Sequence, residues 1–470
     1  MAIILPAIAL NMLIAVFQPT IFGSVLATLL FAALIVRLFV RTPYALVLLL
    51  PVMIPRISAL VSLNMIDFGA YMPEIGRYGY VTAAAPLYAF YNAILVFIAF
   101  KLLERWRRHD PETSPKPWSR SALVDDFVPA GIGALLVAYL FLVGYRVGFP
   151  LMTGTDRFVF RLQTADIITV NMLNLKVIIA VALGVVFAST KNGMIRNLIA
   201  LEAMAFVVLF FLFGDKFFTV AAFAAAFAGP YFVLKPAQAR RAIVLLAPLV
   251  GVGVILMLLI NLYIFSGYGA GSVDAGLTNL MNRMAAQGQL WFVYVANEGE
   301  FLHLDIDMMF TNFRSIFAAN TDNFDFANGL ATFYFANKYS PQAFLHSMYT
   351  NAGTTTLTGA FEPYSGVMTG YAGLVVVMIV TAVLVAAICR YLYRAILTGS
   401  PGQVLAPAAI LTQSLYMLNQ GTIDSLLSWA SFKIFAAFWL LGMMERLART
   451  SLHALPVQGR RIRGEWLRRS

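Results

Sequence analysis

The chain alternates between long apolar runs and short polar loops that carry most of its charge. A helix needs about 20 predominantly apolar residues to cross a bilayer. Twelve runs approach that length, and the predicted spans are residues 2–18, 20–40, 43–63, 80–103, 127–147, 167–189, 198–213, 217–235, 242–265, 368–393, 403–421 and 426–444. The pattern predicts an all-α polytopic membrane protein, with residues 1–470 as a single integral membrane domain.

Two of these runs need comment. The run 43–63 is the least regular because Pro51, Pro55 and Arg56 interrupt it, and proline in a membrane helix requires neighbours that satisfy the freed backbone groups. The first run lacks the basic start and the small-residue cleavage site of a signal peptide, so we expect it to be a retained span.

The basic residues lie mainly in loops on one side of the predicted spans. The positive-inside rule therefore predicts that both termini are cytoplasmic, including a basic tail at 445–470. The loops near 65–79, 148–166, 214–216 and 266–367 then lie outside. The last is a large loop between the ninth and tenth spans. Two of its stretches, "LTNLMNRMAAQGQLWFVYVANEGEF" and "HLDIDMMFTNFRSIFAAN", have helix-like apolar spacing and are expected to lie along the membrane surface.

Composition supports the membrane assignment. Hydrophobic residues make up 60% of the chain and charged residues 12%, whereas charged residues are about 25% of a soluble domain. The net charge of +11 follows the predicted topology, and no motif for nucleic-acid binding is visible, so no nucleic-acid partner is expected. The single Cys389 excludes a disulfide framework and a cysteine-based metal cluster.

The stretch "FFLFGDKFFTV" (210–220) places two adjacent charges between two apolar runs. Gly214, Asp215 and Lys216 are predicted to form a tight outer turn. One interpretation is that a hairpin apex simply needs a glycine and a polar residue. In the other, Lys216 starts the next span, where unpaired backbone N–H groups favour an anion, and the turn helps to bind negative charge.

Few basic residues are predicted to face outside, and each departs from the positive-inside bias. They are Arg56, Arg77, Arg146, Arg157, Arg161, Lys216, Arg283, Arg314 and Lys338. Arg157 and Arg161 are four residues apart, which places them on one helix face. Several converging cations suit a membrane-anchored diphosphate, because the arginine fork binds phosphate oxygens in pairs. Ordinary ion pairing, for example of Arg157 with Asp156 or Asp166, is the alternative.

The candidate acids and bases lie in the same loops: Glu298, Glu300, His303, Asp305, Asp307, His346 and Glu362. Glycosyl transfer needs a proton acceptor beside a cationic pocket, because a sugar hydroxyl must be deprotonated while the diphosphate leaves. No third metal ligand accompanies "HLDID", so no metal is predicted. Outer-loop aromatic residues, including Tyr349, either anchor at the interface or stack on sugar rings.

Lys176, Glu202 and Lys433 are charges predicted within the membrane spans, where a charge is expensive and suggests function by default. The simpler interpretation is that Lys176 and Glu202, on neighbouring spans, neutralise each other. Lys433 reaches Asp424 only if the chain bends between them.

An even array of spans with one large external loop late in the chain resembles the Wzy-type O-antigen and exopolysaccharide repeat-unit polymerases, which are GT-C-like and related to the O-antigen ligases. The turn "LFGDKFFTV" resembles a Gly-x-Lys element of that family, and "RFVFR" and "NRMAAQG" resemble its arginine-containing loop motifs. "NAGTTTLTGAFEPYSGVMTGYAGL" resembles the end of the family's loop. The resemblance covers roughly residues 130–400.

The resemblance implies a glycosyltransferase in the bacterial inner membrane with its active site facing the periplasm. Such an enzyme moves the growing chain from one undecaprenyl diphosphate onto the non-reducing end of a second lipid-linked unit, with inversion and without metal or cofactor. A flippase, a chain-length regulator and membrane lipids are the implied partners.

The resemblance also implies roles for individual residues. Arg157 and Arg283 would hold the diphosphate, with Arg161, Lys216 and Arg314 as supporting cations. His346 lies where related ligases place a loop histidine, although the run here is "HSMYTN" rather than His-Asn. The candidate catalytic residues are His346, Asp305 and Glu362, and Tyr349 is a candidate substrate contact.

Three alternatives remain open. Secondary transporters often have twelve spans but usually show two similar halves; no such repeat is visible here, and the candidate residues lie outside rather than at mid-membrane. The same objection applies to a polysaccharide flippase. An O-antigen ligase is closer, because it also needs cations near a lipid phosphate, and a gene neighbourhood with a flippase and a chain-length regulator would favour the polymerase.

Overall fold

The computed structural model describes residues 3–109, 126–153, 155, 160–161, 165–215, 217–236, 238, 273–315, 330–350, 357–421 and 424–454. Nearly all of these residues are helical. In chain order the helices are α1 (Ile4–Phe17), α2 (Ile21–Arg41), α3 (Pro43–Asp67), α4 (Ala84–His109), α5 (Val128–Val147), α6 (Pro150–Thr153), α7 (Ile167–Asn174), α8 (Lys176–Ser189), α9 (Gly193–Leu212), α10 (Phe217–Leu234), α11 (Val273–Ala285), α12 (Gln289–Val293), α13 (Ile306–Ser315), α14 (Ala331–Tyr339), α15 (Gln342–Thr350), α16 (Phe361–Leu397), α17 (Leu405–Gln420), α18 (Asp424–Leu427) and α19 (Trp429–Ala454).

Two short elements complete the architecture. A π-helical turn, Tyr294–Glu298, follows α12 directly. Strands β1 (Tyr71–Met72) and β2 (Arg77–Tyr78) pair antiparallel, with Tyr71 opposite Tyr78 and Met72 opposite Arg77. This hairpin lies between α3 and α4.

In the part of the chain that the structure describes, six helical segments are long and apolar enough to cross a membrane: α2, α3, α4, α5 together with α6, α9 and α16. Helices α7 and α8 add a seventh if the pair, bent by 66°, is counted as one span. The all-α polytopic membrane fold is thereby confirmed. The count of twelve stays a prediction, because α1 and Val220–Leu234 are shorter apolar helices, α17 has 16 residues, and the predicted span 242–265 lies outside the described residues.

The helix bundle has two chemically different ends. We define the loop end as the one that carries the β1–β2 hairpin and residues 285–305. At the opposite end, Arg41 pairs with Glu104 at 2.8 Å, and the Arg390 guanidinium lies 4.9 Å from the centre of the Trp106 ring. The positive-inside rule predicts that this opposite end is cytoplasmic.

Part of the large loop is inserted into the bundle. Residues 289–294 are at most 1% exposed and pack against α3, α4 and α16. The Ser62 hydroxyl fixes the entry point, because it donates to the Ala285 carbonyl at 2.6 Å and accepts the Gly288 N–H at 2.8 Å. We expected this stretch on the membrane surface; it is buried instead because "LWFVY" is apolar on every side, and the polar Gln289 before it donates to Glu74.

Helix α16 is interrupted at Gly370, where φ is +66° and ψ is 178°. The interruption frees backbone groups that the loop then satisfies: the Tyr371 and Ala372 N–H groups donate to the carbonyls of Glu300 and Phe301 at 2.9 and 3.1 Å. A Cβ at position 370 would lie 2.7 Å from the backbone nitrogen of His303, so only glycine fits. The predicted span 368–393 therefore starts at this joint.

Candidate functional site

The turn after α9 is a Schellman motif. The Asp215 N–H donates to the Phe210 carbonyl at 2.9 Å, and the Gly214 N–H donates to the Phe211 carbonyl at 2.8 Å. Gly214 has φ of +79°, the left-handed conformation that this helix ending requires. The "FGD" sequence thus ends α9 and fixes the backbone of Asp215 at the loop end.

Asp215 joins two cations from different parts of the chain. Its Oδ1 accepts a hydrogen bond from Arg161 Nη2 at 2.9 Å, and its Oδ2 accepts one from Lys176 Nζ. The carboxylate is 2% exposed, the Lys176 side chain 7% and the Arg161 side chain 21%. We call these three residues the Asp215 triad. It carries a net charge of +1, and Arg161 is its most accessible member.

Aromatic rings hold the triad in place. The Phe160 and Phe213 ring centres are 5.5 Å apart, which fixes the residue before Arg161 against the turn before Asp215. Lys176 Nζ lies 5.3 Å from the centre of the Phe210 ring, a cation–π contact that stabilises a buried ammonium.

The partner of Lys176 differs from the predicted one. Lys176 is the first residue of α8, at the bend between α7 and α8. This position gives it access to Asp215 in the outer turn. Glu202, the expected partner, lies at the middle of α9, is 4% exposed, and neither of its carboxylate oxygens has a hydrogen-bond partner among the described residues. The Lys176–Glu202 prediction was wrong because Lys176 lies too close to the loop end.

Helix α17 connects the triad to the segment that leads into α16. Tyr416 interacts electrostatically with Arg161 and Asp215. One turn later, the Asn419 carbonyl accepts the N–H groups of Gly359 and Ala360 at 2.8 and 3.1 Å. Residues 359–360, which lead into α16, are therefore hydrogen-bonded to α17, the helix that also carries Tyr416.

Glu362, a predicted catalytic residue, forms a buried ion pair in this structure. Its Oε1 accepts a hydrogen bond from Arg56 Nη2 at 2.6 Å, and both side chains are 3% exposed. Arg56 also donates to the Val52 carbonyl at 2.9 Å. The pair joins the first turn of α16 to α3, and it explains the charge that interrupts the third apolar run.

Asp305 lies where the inserted loop meets α16. Its N–H donates to the Met368 carbonyl at 2.9 Å, and its Oδ1 accepts the Met308 N–H at 2.8 Å, which caps α13. The side chain is half-buried and interacts electrostatically with Tyr334 and Tyr364. This predicted base therefore lies in the same neighbourhood as Tyr334 and Tyr364.

A second carboxylate faces the same tyrosine. Glu298 pairs with Lys338 Nζ at 2.5 Å and accepts a hydrogen bond from the Tyr339 hydroxyl. Burial and the nearby Glu298 carboxylate raise the pKa of Tyr334. Burial alone would lower the pKa of Lys338, but its hydrogen bonds with Glu298 and Tyr334 raise it. Glu298 and Asp305 therefore flank Tyr334 at the loop end.

The remaining predicted site residues are more scattered. Tyr349 is 37% exposed, donates to Asn337 Oδ1 at 2.9 Å and packs against the Phe333 ring. His346 is exposed on α15, and Arg314 is exposed in the last turn of α13. Arg283 lies on α11, but its side chain is outside the description, as are the whole of Arg157 and Lys216.

The described contacts thus form two separate groups. Arg161 belongs to the Asp215 triad, whereas Asp305 belongs to the tyrosine-lined group next to α16. Sequence reasoning missed Lys176 as a site residue and Glu298 as a partner of Lys338. The signal for Lys176 was available, since an in-membrane lysine and an outer-turn aspartate were both unexplained charges. Within the described part of the chain, no cluster of three or more His, Cys, Asp or Glu residues could hold a metal ion.

Comparison with known proteins gives one match. A family model described as "Family of unknown function (DUF6418)" matches residues 328–435. This region includes α14, α15, α16 and α17, and therefore His346, Glu362 and the Gly370 joint. No curated protein and no solved structure matches the chain.

Proposed function

We propose that the protein is a glycosyltransferase that polymerises undecaprenyl-diphosphate-linked oligosaccharide repeat units into O-antigen or exopolysaccharide. It would act at the periplasmic face of a bacterial inner membrane and move the growing chain onto the non-reducing end of a new lipid-linked unit. The observation that carries the proposal is the Asp215 triad, in which one carboxylate faces two cations.

The arrangement of the triad favours an anionic ligand. Asp215 uses one oxygen for each cation, so a single carboxylate is shared between two positive charges. Arg161 is the better placed of the two to contact a ligand, since it is 21% exposed and its Nε has no hydrogen-bond partner among the described residues, whereas Lys176 is 7% exposed. A diphosphate supplies several oxygens, and the guanidinium plane can bind two of them at once. Arg157 and Lys216 are next to the triad in sequence and would add to the same positive field.

The reaction also needs a proton acceptor. The acceptor sugar hydroxyl attacks the donor's anomeric carbon, the bond to the diphosphate oxygen breaks, and the hydroxyl proton passes to a base. Asp305 is the predicted base that fits best, because Glu362 is enclosed with Arg56. Asp305 is half-buried, and only its Oδ1 is used in capping α13.

The test is elongation by the purified chain in liposomes supplied with a lipid-linked repeat unit. We expect wild-type protein to give a ladder of products and Arg161→Ala to slow elongation about 10- to 100-fold, the value of a lost charge-assisted contact. Arg161→Lys should restore little, because an ammonium cannot form the two-pronged contact. Arg146→Ala is the matched control, because Arg146 is exposed at the loop end of α5. This variant should elongate the chain at the wild-type rate.

Two results would overturn the proposal. Full-length ladders from Arg161→Ala at normal rate would show that the triad does not bind the diphosphate. A single transfer onto a lipid A–core acceptor, with no ladder on lipid-linked units, would assign the chain to the ligases instead.

A further inference from the structure

Helix α13 has an apolar face that is exposed in the described part of the chain. Ile306, Met309 and Phe310 are 54, 43 and 63% exposed. At about 100° per residue they lie within about 100° of one another around the helix. The preceding turn continues this surface, because Leu302 and Leu304 are 76 and 64% exposed.

The side of α13 that packs against protein is partly polar. Asn312 is 4% exposed and hydrogen-bonds Tyr364, and Met308 packs beside it against the core. A water-exposed helix normally buries its apolar side and exposes its polar side. Here a buried asparagine and an exposed phenylalanine reverse that arrangement, so the surroundings of the exposed face are apolar.

Charged residues occupy a third direction. Asp307 and Arg314 are exposed and project about 80–100° away from Ile306 around the helix. Helix α13 therefore has one side toward protein, one apolar side and one charged side. This three-way division is the pattern of a helix that lies in a membrane interface.

The apolar face is continuous with the apolar surface of the bundle. The Phe301 carbonyl accepts the Ala372 N–H at 3.1 Å, so Phe301 lies about one helical turn closer to the loop end than Val376. Phe301 is 73% exposed and Val376 is 60% exposed. Val380, 62% exposed, follows one turn later on the same face of α16. Helix α16 is a candidate span, so this exposed stripe faces lipid, and residues 301–310 extend it to the loop end.

We propose that residues 301–310 form a bilayer anchor whose apolar side chains insert among lipid acyl chains at the loop end. Continuity with the stripe on α16 selects lipid rather than a second protein as the occupant. Asp305 lies within this segment, so the anchor holds that carboxylate at the lipid–water boundary. The anchor does not depend on the proposed glycosyl transfer.

Site-directed spin labelling of the full chain in phosphatidylglycerol–phosphatidylethanolamine liposomes tests the proposal. Cys389 is the single cysteine and is fully buried, so Cys389→Ala provides the background. Nitroxides are placed by Phe310→Cys and Met309→Cys on the apolar side and by Asp307→Cys on the charged side. Collision with apolar oxygen is then compared with collision with a polar nickel chelate.

We expect a severalfold higher oxygen-to-nickel collision ratio at 309 and 310 than at 307, because oxygen concentrates in the acyl region. Equal ratios at all three positions would place α13 in water and overturn the proposal. Labels at 309 and 310 that are shielded from both reagents would indicate a protein partner and would also overturn it. Two apolar positions are used so that one misfolded variant does not decide the result.

Discussion

Replacing Asp215 by asparagine should destabilise the protein by about 3 kcal/mol, the lower part of the range for breaking a buried ion pair. The amide is nearly the same size, so packing is retained and the loss is electrostatic. Lys176, 7% exposed, would keep its charge and lose its contact with the Asp215 carboxylate, and Arg161 would lose the same counter-charge. The cost follows from two cations, one of them buried, that lose a shared carboxylate.

A double-mutant cycle separates this effect from general damage. In the otherwise wild-type protein, Lys176→Met removes the buried ammonium and leaves the Arg161–Asp215 pair, at 2.9 Å, in place. We expect Asp215→Asn combined with Lys176→Met to be more stable than Asp215→Asn alone, with a coupling of about 1–3 kcal/mol.

The single buried Cys389 supplies the assay, because thermal unfolding exposes it to a thiol-reactive dye. Glu104→Gln is the control for exposed pairing: Glu104 also contacts more than one cation, but its partners Arg41, Lys101 and Arg108 are 43, 40 and 69% exposed, so each lost pair should cost less than about 1 kcal/mol. If Asp215→Asn were as stable as wild type, or if Lys176→Met made it worse, the triad would not be a buried electrostatic unit.

Two further substitutions test other parts of the structure. Gly370→Ala should weaken the joint with residues 300–305 by about 2–4 kcal/mol, because alanine strains the left-handed backbone and the loop hydrogen bonds are lost. Faster amide hydrogen exchange at Tyr371 would show this weakening. Gly131→Ala is the control and should leave the exchange unchanged, since an added Cβ there meets nothing within 4 Å. Glu202→Gln should leave unchanged or raise the midpoint temperature of thermal unfolding, measured by dye labelling of Cys389. The neutral amide replaces a buried carboxylate that, when ionised, has no hydrogen-bond partner among the described residues. A large loss of stability in Glu202→Gln would indicate an ionised, functional Glu202.

The membrane class and the main helices could be predicted from the sequence because both depend on local information. A run of about 20 apolar residues defines a span whatever surrounds it. Even the run 43–63, interrupted by two prolines and an arginine, is a 25-residue helix. The charge that made this run doubtful is neutralised by Glu362, more than 300 residues later in the chain.

The sequence fell short where the tertiary structure decides. Continuous apolar spacing predicted a span over 167–189 but not the 66° bend between α7 and α8, which places Lys176 at a helix start. The buried stretch 289–294 was ambiguous for a different reason: a short apolar run is equally consistent with a surface helix and with a core segment. Only the location of its neighbours, α3, α4 and α16, resolves that ambiguity.

The distribution of ion pairs identifies which part of the loop end can bind an anion. The loop end contains three ion-pair groups in the described structure: Arg56–Glu362, Lys338–Glu298 and the Asp215 triad. In each of the first two, one cation contacts one carboxylate, and an added phosphate would have to displace that carboxylate from its partner. In the triad, one carboxylate contacts two cations. Arg161 is the more exposed of the two cations, at 21%, and its Nε has no hydrogen-bond partner among the described residues, so we propose Arg161 as the side chain through which an anionic ligand is held.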